Sequence, residues 1–251
     1  MPCQCHSCRD LTVYRKRTYR QHVFSDGFET YEVKEGESDL FIRTSKLLHD
    51  EALKALKEAR AQIIHYIEEN PLFQTSLSPL PSDADASFLV QDMLVSSRLA
   101  DVGPMAAVAG AVAQYVGLRL LELTDEVIVE NGGDIFISSL SAQTVQIFTD
   151  NDHFTSRLRL RLSPDFMPCG ICTSSGRTGP SLSFGEADAV TVISPSASLA
   201  DAAATALGNM VKNEVDIASS LEHAQHIEGV TGVVVIIGGK VGAWGPAVEF
   251  V

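Results

Sequence analysis

Apolar and polar residues alternate through the first part of the chain, and that alternation predicts strands. Tyr14 to Val23 is polar and alternating, and Phe28 to Val33 and Asp39 to Thr44 flank the turn-like Glu35-Gly36-Glu37-Ser38. Together they read as a meander over about 12–44 with one wet face. From about Ser45 to Glu69 the period changes. Leu48, Ala52, Leu56, Ala59, Ile63 and Tyr66 recur at helical spacing, and Asn70-Pro71 ends the run. The loop Ser76 to Ser87, with two prolines and no hydrophobic period, is the best internal boundary.

Two apolar helices follow, about 87–99 and 104–122. The second carries small apolar residues all round (Met105, Ala106, Val108, Ala109, Val112, Ala113, Val116), as expected of a buried helix approached closely on several sides. Strands are predicted near 126–130, 134–139, 143–149, 156–162 and 188–194. Helices are predicted from Leu199 to about Lys212 and over about 214–225. A closing hairpin joins Val233 to Ile237 and Val241 to Trp244 through Gly238-Gly239-Lys240. Helices paired between runs of hairpin-linked strands, without regular βα alternation, indicate an α+β fold with largely antiparallel sheets.

The 251 residues hold 32 acidic against 19 basic side chains, a net charge of −13. A surface that negative repels phosphate backbones, so nucleic acid is not an expected partner. The excess is uneven, since residues 1–22 contain Arg9, Arg15, Lys16, Arg17 and Arg20 against the single acid Asp10. Val102 to Leu118 is the most membrane-like stretch, but Pro104 and Gln114 interrupt it short of the roughly 20 apolar residues a span requires. Without a membrane partner or a signal-like apolar stretch near the N-terminus, a cytoplasmic location is expected, with the five cysteines as reduced thiols.

Candidate chemistry gathers in four places. In Ser198-Leu-Ala-Asp201-Ala-Ala-Ala-Thr205, a carboxylate and a hydroxyl four residues apart share one helix face and suit the hard-oxygen shell of Mg²⁺. Helix capping by Ser198, with Asp201 completing a capping box, is the structural alternative. In Glu130-Asn131-Gly132-Gly133-Asp134, paired glycines can bring free N–H groups to an anion, or simply make a tight hairpin turn. In Gly170 to Gly179, which contains Thr173, Ser174, Ser175, Gly176 and Arg177, hydroxyls and one arginine at the end of an apolar strand could cradle a phosphate. A solvated loop explains them as well. Finally, Cys3, Cys5 and Cys8 cluster beside His6, and Cys169-Gly-Ile-Cys172 is a C-x-x-C. Their spacing falls short of paired zinc knuckles.

The order of the motifs adds to this. Asp101-Val-Gly103-Pro-Met-Ala106, Val129-Glu-Asn131-Gly-Gly-Asp134-Ile, Thr173-Ser-Ser-Gly176, Ala187-Asp-Ala-Val-Thr-Val-Ile193 and Ala200-Asp-Ala-Ala-Ala-Thr205-Ala together resemble the ApbE-like flavin transferase family. The similarity runs from about Ser87 to Val211, and Gly242-Ala-Trp-Gly245 also fits a shorter, uncharacterised branch. The resemblance implies one ApbE-like domain over 1–251, of T-fold type. The meander and long helix would precede a motif-bearing core from about 87 to 251. It also implies a Mg²⁺-dependent enzyme that splits FAD and attaches the FMN half, through phosphate, to a threonine of an acceptor protein. By position, Asp201, Thr205 and the Ala106 carbonyl match the family's metal ligands. Asn131, Gly132, Gly133, Asp134, Thr173, Ser174, Ser175 and Gly176 fall on the segments matching its flavin-phosphate loops.

The departures shape the alternatives. Ala107 stands where the family carries a lysine, and Gly179-Pro-Ser181-Leu-Ser183-Phe-Gly185 replaces its His-Ile-Ile-Asp-Pro segment. No N-terminal motif for the adenosine half of FAD is recognisable. A non-catalytic binding module for a flavin or other phosphorylated small molecule is therefore the alternative to an FMN transferase or FAD pyrophosphatase. Different chemistry around Ser181, Ser183 and Cys172 is a third reading. An unpaired strand edge in the meander would suit a homodimer.

Overall fold

The computed structural model describes residues 27–149, 158–176 and 184–251. The segment Tyr14 to Val23, the N-terminal cysteines, Arg177, Ser181 and Ser183 lie outside the described residues. An eight-stranded sheet organises the rest. Its strands are β1 (Glu29–Glu35), β2 (Ser38–Thr44), β3 (Val127–Asn131), β4 (Asp134–Ser138), β7 (Cys169–Ser174), β8 (Ala189–Ser194), β9 (Gly232–Ile237) and β10 (Lys240–Trp244), in that spatial order. Every neighbouring pair is antiparallel. A separate hairpin-like pair joins β5 (Gln143–Gln146) and β6 (Arg159–Leu162).

One face of the sheet carries the helices. They are α1 (His49–Glu69), α2 (Leu72–Thr75), α3 (Phe88–Leu99), α4 (Val108–Leu121), α5 (Ala197–Met210) and α6 (Asp216–Ala224). Because side chains alternate along a strand, Leu40, Ile42, Val127, Val129, Phe136, Cys172, Val190, Val192, Val233 and Val235 face this helical layer. Ile137, Cys169, Ile171, Ala189, Ile193, Val234 and Ile236 form a second core on the opposite face, with Leu160 and Leu162 of β6. Strands β8 and β9 are buried at every residue, which is why both read as continuous apolar runs in a sheet covered on two sides.

The alternation predicts β1 and β2 to within a residue or two, and the helical spacing predicts α1, which starts at His49 rather than at the expected Ser45. Three features differ from expectation. The short helix α2 lies just before the expected loop, in a stretch where no element was expected, seating the fully buried Phe73 against Tyr66 in an edge-on ring contact. The helix expected over 104–122 begins as a tight 3-10 turn, Pro104–Ala107, before α4 starts at Val108. Strand β7 extends through Ser174, so Thr173 and Ser174 belong to the sheet rather than to a phosphate loop.

Pro104–Leu121 is the one helical span among the described residues long and apolar enough to cross a membrane, and half of it is buried inside the protein. It packs between the sheet and α5, as a core helix does. The C-x-x-C spacing has a simple outcome in a strand. Three residues apart means opposite faces, so Cys169 lies in one core and Cys172 in the other, both as free, buried thiols. That corrects any reading of the pair as a shared metal or redox site.

Candidate functional site

Three elements converge at the start of α5. A Cβ on Gly110 of α4 would collide with the Ala197 carbonyl, and a Cβ on Gly170 of β7 would collide with Ala197 itself. Only glycine lets helix and strand come this close. The contact lets the Gly110 N–H donate to Asp201 Oδ2 over 2.9 Å. Behind it, Gln114 fixes the helix start: its Oε1 accepts from the Ala197 N–H at 2.6 Å and its Nε2 donates to Asp92 Oδ2 at 3.1 Å. The Ser198 hydroxyl donates to the same Asp92 oxygen. Burial pushes the Asp92 carboxyl up, against the pull of that hydroxyl.

The cap is therefore not the expected one. Ser196 caps α5, its Oγ accepting from the Leu199 N–H at 3.2 Å, while Ser198 sits inside the helix, turned to Asp92. Asp201 does not complete a capping box. Its carboxylate faces the first turn of α4 instead.

The Gly132-Gly133 pair makes the β3–β4 hairpin turn, with φ of +71° and +110°. The turn aligns Asn131 with Asp134. Alternation places both on the helical side, beyond Val129 and Phe136. Asn131 Nδ2 donates to the Ala109 carbonyl at 3.1 Å, tying the hairpin to α4. The Gly133 N–H is held by Glu130 Oε1 at 2.8 Å. Asp134 Oδ1 accepts from the Thr173 N–H at 3.2 Å. The Cys172 thiol donates to the Ala197 carbonyl at 3.4 Å and lies close to the Asp134 carboxyl.

Strand β7 and helix α5 run side by side. Gly170 abuts Ala197, and Gly176 abuts Gly185, which in turn abuts Gly208. At about 3.3 Å per strand residue and about 1.5 Å per helix residue, two steps along β7 match one turn of α5. By this pitch Cys172 falls level with the turn holding Asp201, and Ser174 level with the turn holding Thr205. The Ser174 hydroxyl, on the same face as Cys172, is buried and has no hydrogen-bond partner. Thr173 turns the other way, its hydroxyl bonded to Thr191 at 2.9 Å. Ala106, in the 3-10 turn, packs against α5. Ala107 is completely buried in the helical core, so in this chain the position is an interior one.

The electrostatics of the cluster are unbalanced. Burial and then the charge of Asp201 push the Asp134 carboxyl well above the usual carboxylate range. Asp201 is pushed up to about 7 by burial, even though the Gly110 and Ala109 N–H groups favour its ionised form. Burial, followed by the two carboxylates, also raises the Cys172 thiol. Among the described residues, no lysine, arginine or histidine is a cause of the shift at either carboxylate. Nor do three His, Cys, Asp or Glu side chains converge on one metal-sized point there. The donors at hand are hard oxygens, namely two carboxylates, the Thr205 and Ser174 hydroxyls and nearby main-chain carbonyls. That set fits Mg²⁺ better than a soft metal.

The antiparallel sheet with its helices on one face is the fold of solved ApbE proteins. The apo crystal structure of the flavinyl transferase ApbE from Pseudomonas stutzeri superposes with a TM-score of 0.55, covering 90% of this chain and 96% of that one at 14% identity. The ApbE protein of Thermotoga maritima gives 0.55 over 85% and 96% at 12% identity. Within that fold, residues 21–242 match the family model described as "AbpE bacteria", and the chain belongs to that family. Among its relatives are UPF0280 proteins of Methanococcus maripaludis strain C5, 43% identical over 76% of this chain and 81% of the relative, and of Methanocella arvoryzae, 35% identical over 89% and 90%.

Sequence reasoning missed the support for this site. Asp92 and Gln114 carried no motif. The available signal was a lone carboxylate between the apolar runs Leu89-Val90 and Met93-Leu94 of one helix.

Proposed function

We propose that this chain is a Mg²⁺-dependent flavin-processing enzyme that cleaves the pyrophosphate of FAD. FMN transfer to a protein threonine would be its synthetic form, and hydrolysis its default without an acceptor. The observation that carries this reading is the pair Asp134, buried, and Asp201, half-buried beside it, with no counter-cation acting on either among the described residues. A buried charge without a partner is costly, and a bound divalent cation would offset it. Asp201, Thr205 and the Ala106 carbonyl would hold the ion, which when bound neutralises charge on the pyrophosphate as the P–O bond breaks.

The chain's own residues do the rest. Gly110 and Gln114 fix α5, and with it Asp201 and Thr205, at one distance from the sheet. The Gly132-Gly133 turn and the Ser175-Gly176 segment after β7 would line the phosphate path, with Gly133 open to close approach. In the reaction, an acceptor hydroxyl or water forms a bond to the FMN phosphorus. The bond from that phosphorus to the bridging oxygen breaks, and AMP departs with the bridging oxygen. Arg177, outside the described residues, is the candidate phosphate-facing cation in place of the lysine that Ala107 replaces.

The test is to incubate purified protein with FAD, with and without Mg²⁺, and to assay AMP. Metal-dependent AMP release is expected. FAD bound in stoichiometric amount and recovered intact would make the chain a binding module instead.

A further inference from the structure

By its place in the sequence, Asp134 belongs to a glycine loop expected to face phosphate, and a carboxylate is ill suited to that task. The structure turns it elsewhere. Its Oδ1 is held by the Thr173 N–H. The Cys172 thiol beside it donates to the Ala197 carbonyl, one turn before Asp201 on the same helix. Gly110 confirms that Ala197 and Asp201 share one face, since a Cβ there would meet the carbonyl of the first and the Cβ of the second. Asp134 on the sheet and Asp201 on the helix thus both lie near this one thiol and near each other.

A second observation points into the same space. The Ser174 hydroxyl, 8% exposed as a residue, lies one step along β7 from Cys172 on the helical face, beside the turn of Thr205, and has no partner. A buried hydroxyl without a partner is rare in a native structure and signals a group that is absent.

We propose that Asp134 is the second carboxylate of the Asp201 cation site and Ser174 an added oxygen donor. On this basis the chain takes up a divalent cation before any nucleotide is present. The inference rests on the placement of the cation at Asp201 given above. A site with one carboxylate, a hydroxyl and a carbonyl needs ligand phosphates to complete its charge. Two carboxylates neutralise a divalent ion without them.

The probe is Mn²⁺ alone, measured by electron paramagnetic resonance on the full chain in about 0.2 M salt to suppress loose surface binding. Wild type is expected to bind one Mn²⁺ per chain without flavin, and Mg²⁺ should displace it. Asp134→Asn, which keeps the Thr173 N–H bond, is expected to weaken binding by about 10- to 100-fold, and Ser174→Ala by a few-fold. Thermal melting gives a parallel readout: Mn²⁺ raises the wild-type midpoint and leaves that of Asp134→Asn nearly unmoved. Equal Mn²⁺ affinity in Asp134→Asn and wild type would overturn the proposal. Should that variant not fold, unchanged affinity in Ser174→Ala overturns it equally, and weakened affinity upholds it. Wild type that binds no Mn²⁺ alone but releases AMP from FAD with metal would refute this inference and leave the flavin reading standing. One Mn²⁺ bound with no AMP released would do the reverse.

Discussion

Replacing Asp201 with asparagine keeps a side-chain oxygen for the Gly110 N–H but removes the charge that this buried position disfavours. In the folded protein the carboxyl is raised from 3.8 to about 7, whereas in the unfolded chain it titrates near about 3.9. The folded state therefore holds the proton more tightly. Below about pH 4 both states are protonated and the effect vanishes; above about pH 7 both are ionised and the folded state carries its full cost. At about 1.4 kcal/mol per pH unit, that cost approaches about 4 kcal/mol, and roughly 3 kcal/mol of it develops between pH 5 and pH 8. Urea unfolding in the presence of EDTA measures it directly. Asp201→Asn is expected to gain on wild type by roughly 3 kcal/mol as the pH goes from 5 to 8, and saturating Mg²⁺ should close most of that gap. A wild-type-to-variant difference that is the same at both pH values would show that Asp201 is not a desolvated carboxylate, and the reasoning behind the site would fail.

Two further predictions concern the scaffold around α5. Gly110→Ala places a Cβ against the Ala197 main chain, which cannot rotate away, so a loss of about 1–3 kcal/mol in urea unfolding is expected together with loss of metal binding; unchanged stability would contradict the close approach of α4 to α5. Ser196→Ala should cost about 1 kcal/mol as a lost cap, and Ser198→Ala more, up to about 3 kcal/mol, because buried Asp92 then loses a donor; the reverse order would return the cap to Ser198.

Much of the fold was legible because hydrophobic period and turn chemistry agree with it. The alternation of Tyr31, Val33, Leu40 and Ile42 marks β1 and β2, and their helical-side burial follows. The Asn131-Gly-Gly-Asp134 turn is where Gly-Gly should put it. Strand β7 was partly misread because Gly170 is a weak strand former and the run Thr173 to Gly176 reads as a hydroxyl-rich loop, and the sheet neighbours β4 and β8 hold it extended through Ser174. The cap on α5 was misassigned by two residues because Ser196 and Ser198 are equally good candidates locally. The choice depends on Asp92, about a hundred residues away. Asp201 and Thr205 stood out from their i, i+4 spacing. The pairing of Asp201 with Asp134 was not legible, since it depends on how closely glycines at 110 and 170 let three elements meet.

The measurement that bears most directly on the site is AMP release from FAD at pH 8 with Mg²⁺, compared between wild type and Asp201→Asn in the same preparations used for unfolding. Wild type is expected to release AMP and the variant at least about 100-fold less, although the variant is the more stable protein in the absence of metal. Equal AMP release by the two would contradict the assignment of Asp201 to the cation and, with it, the flavin-processing role proposed for this cluster.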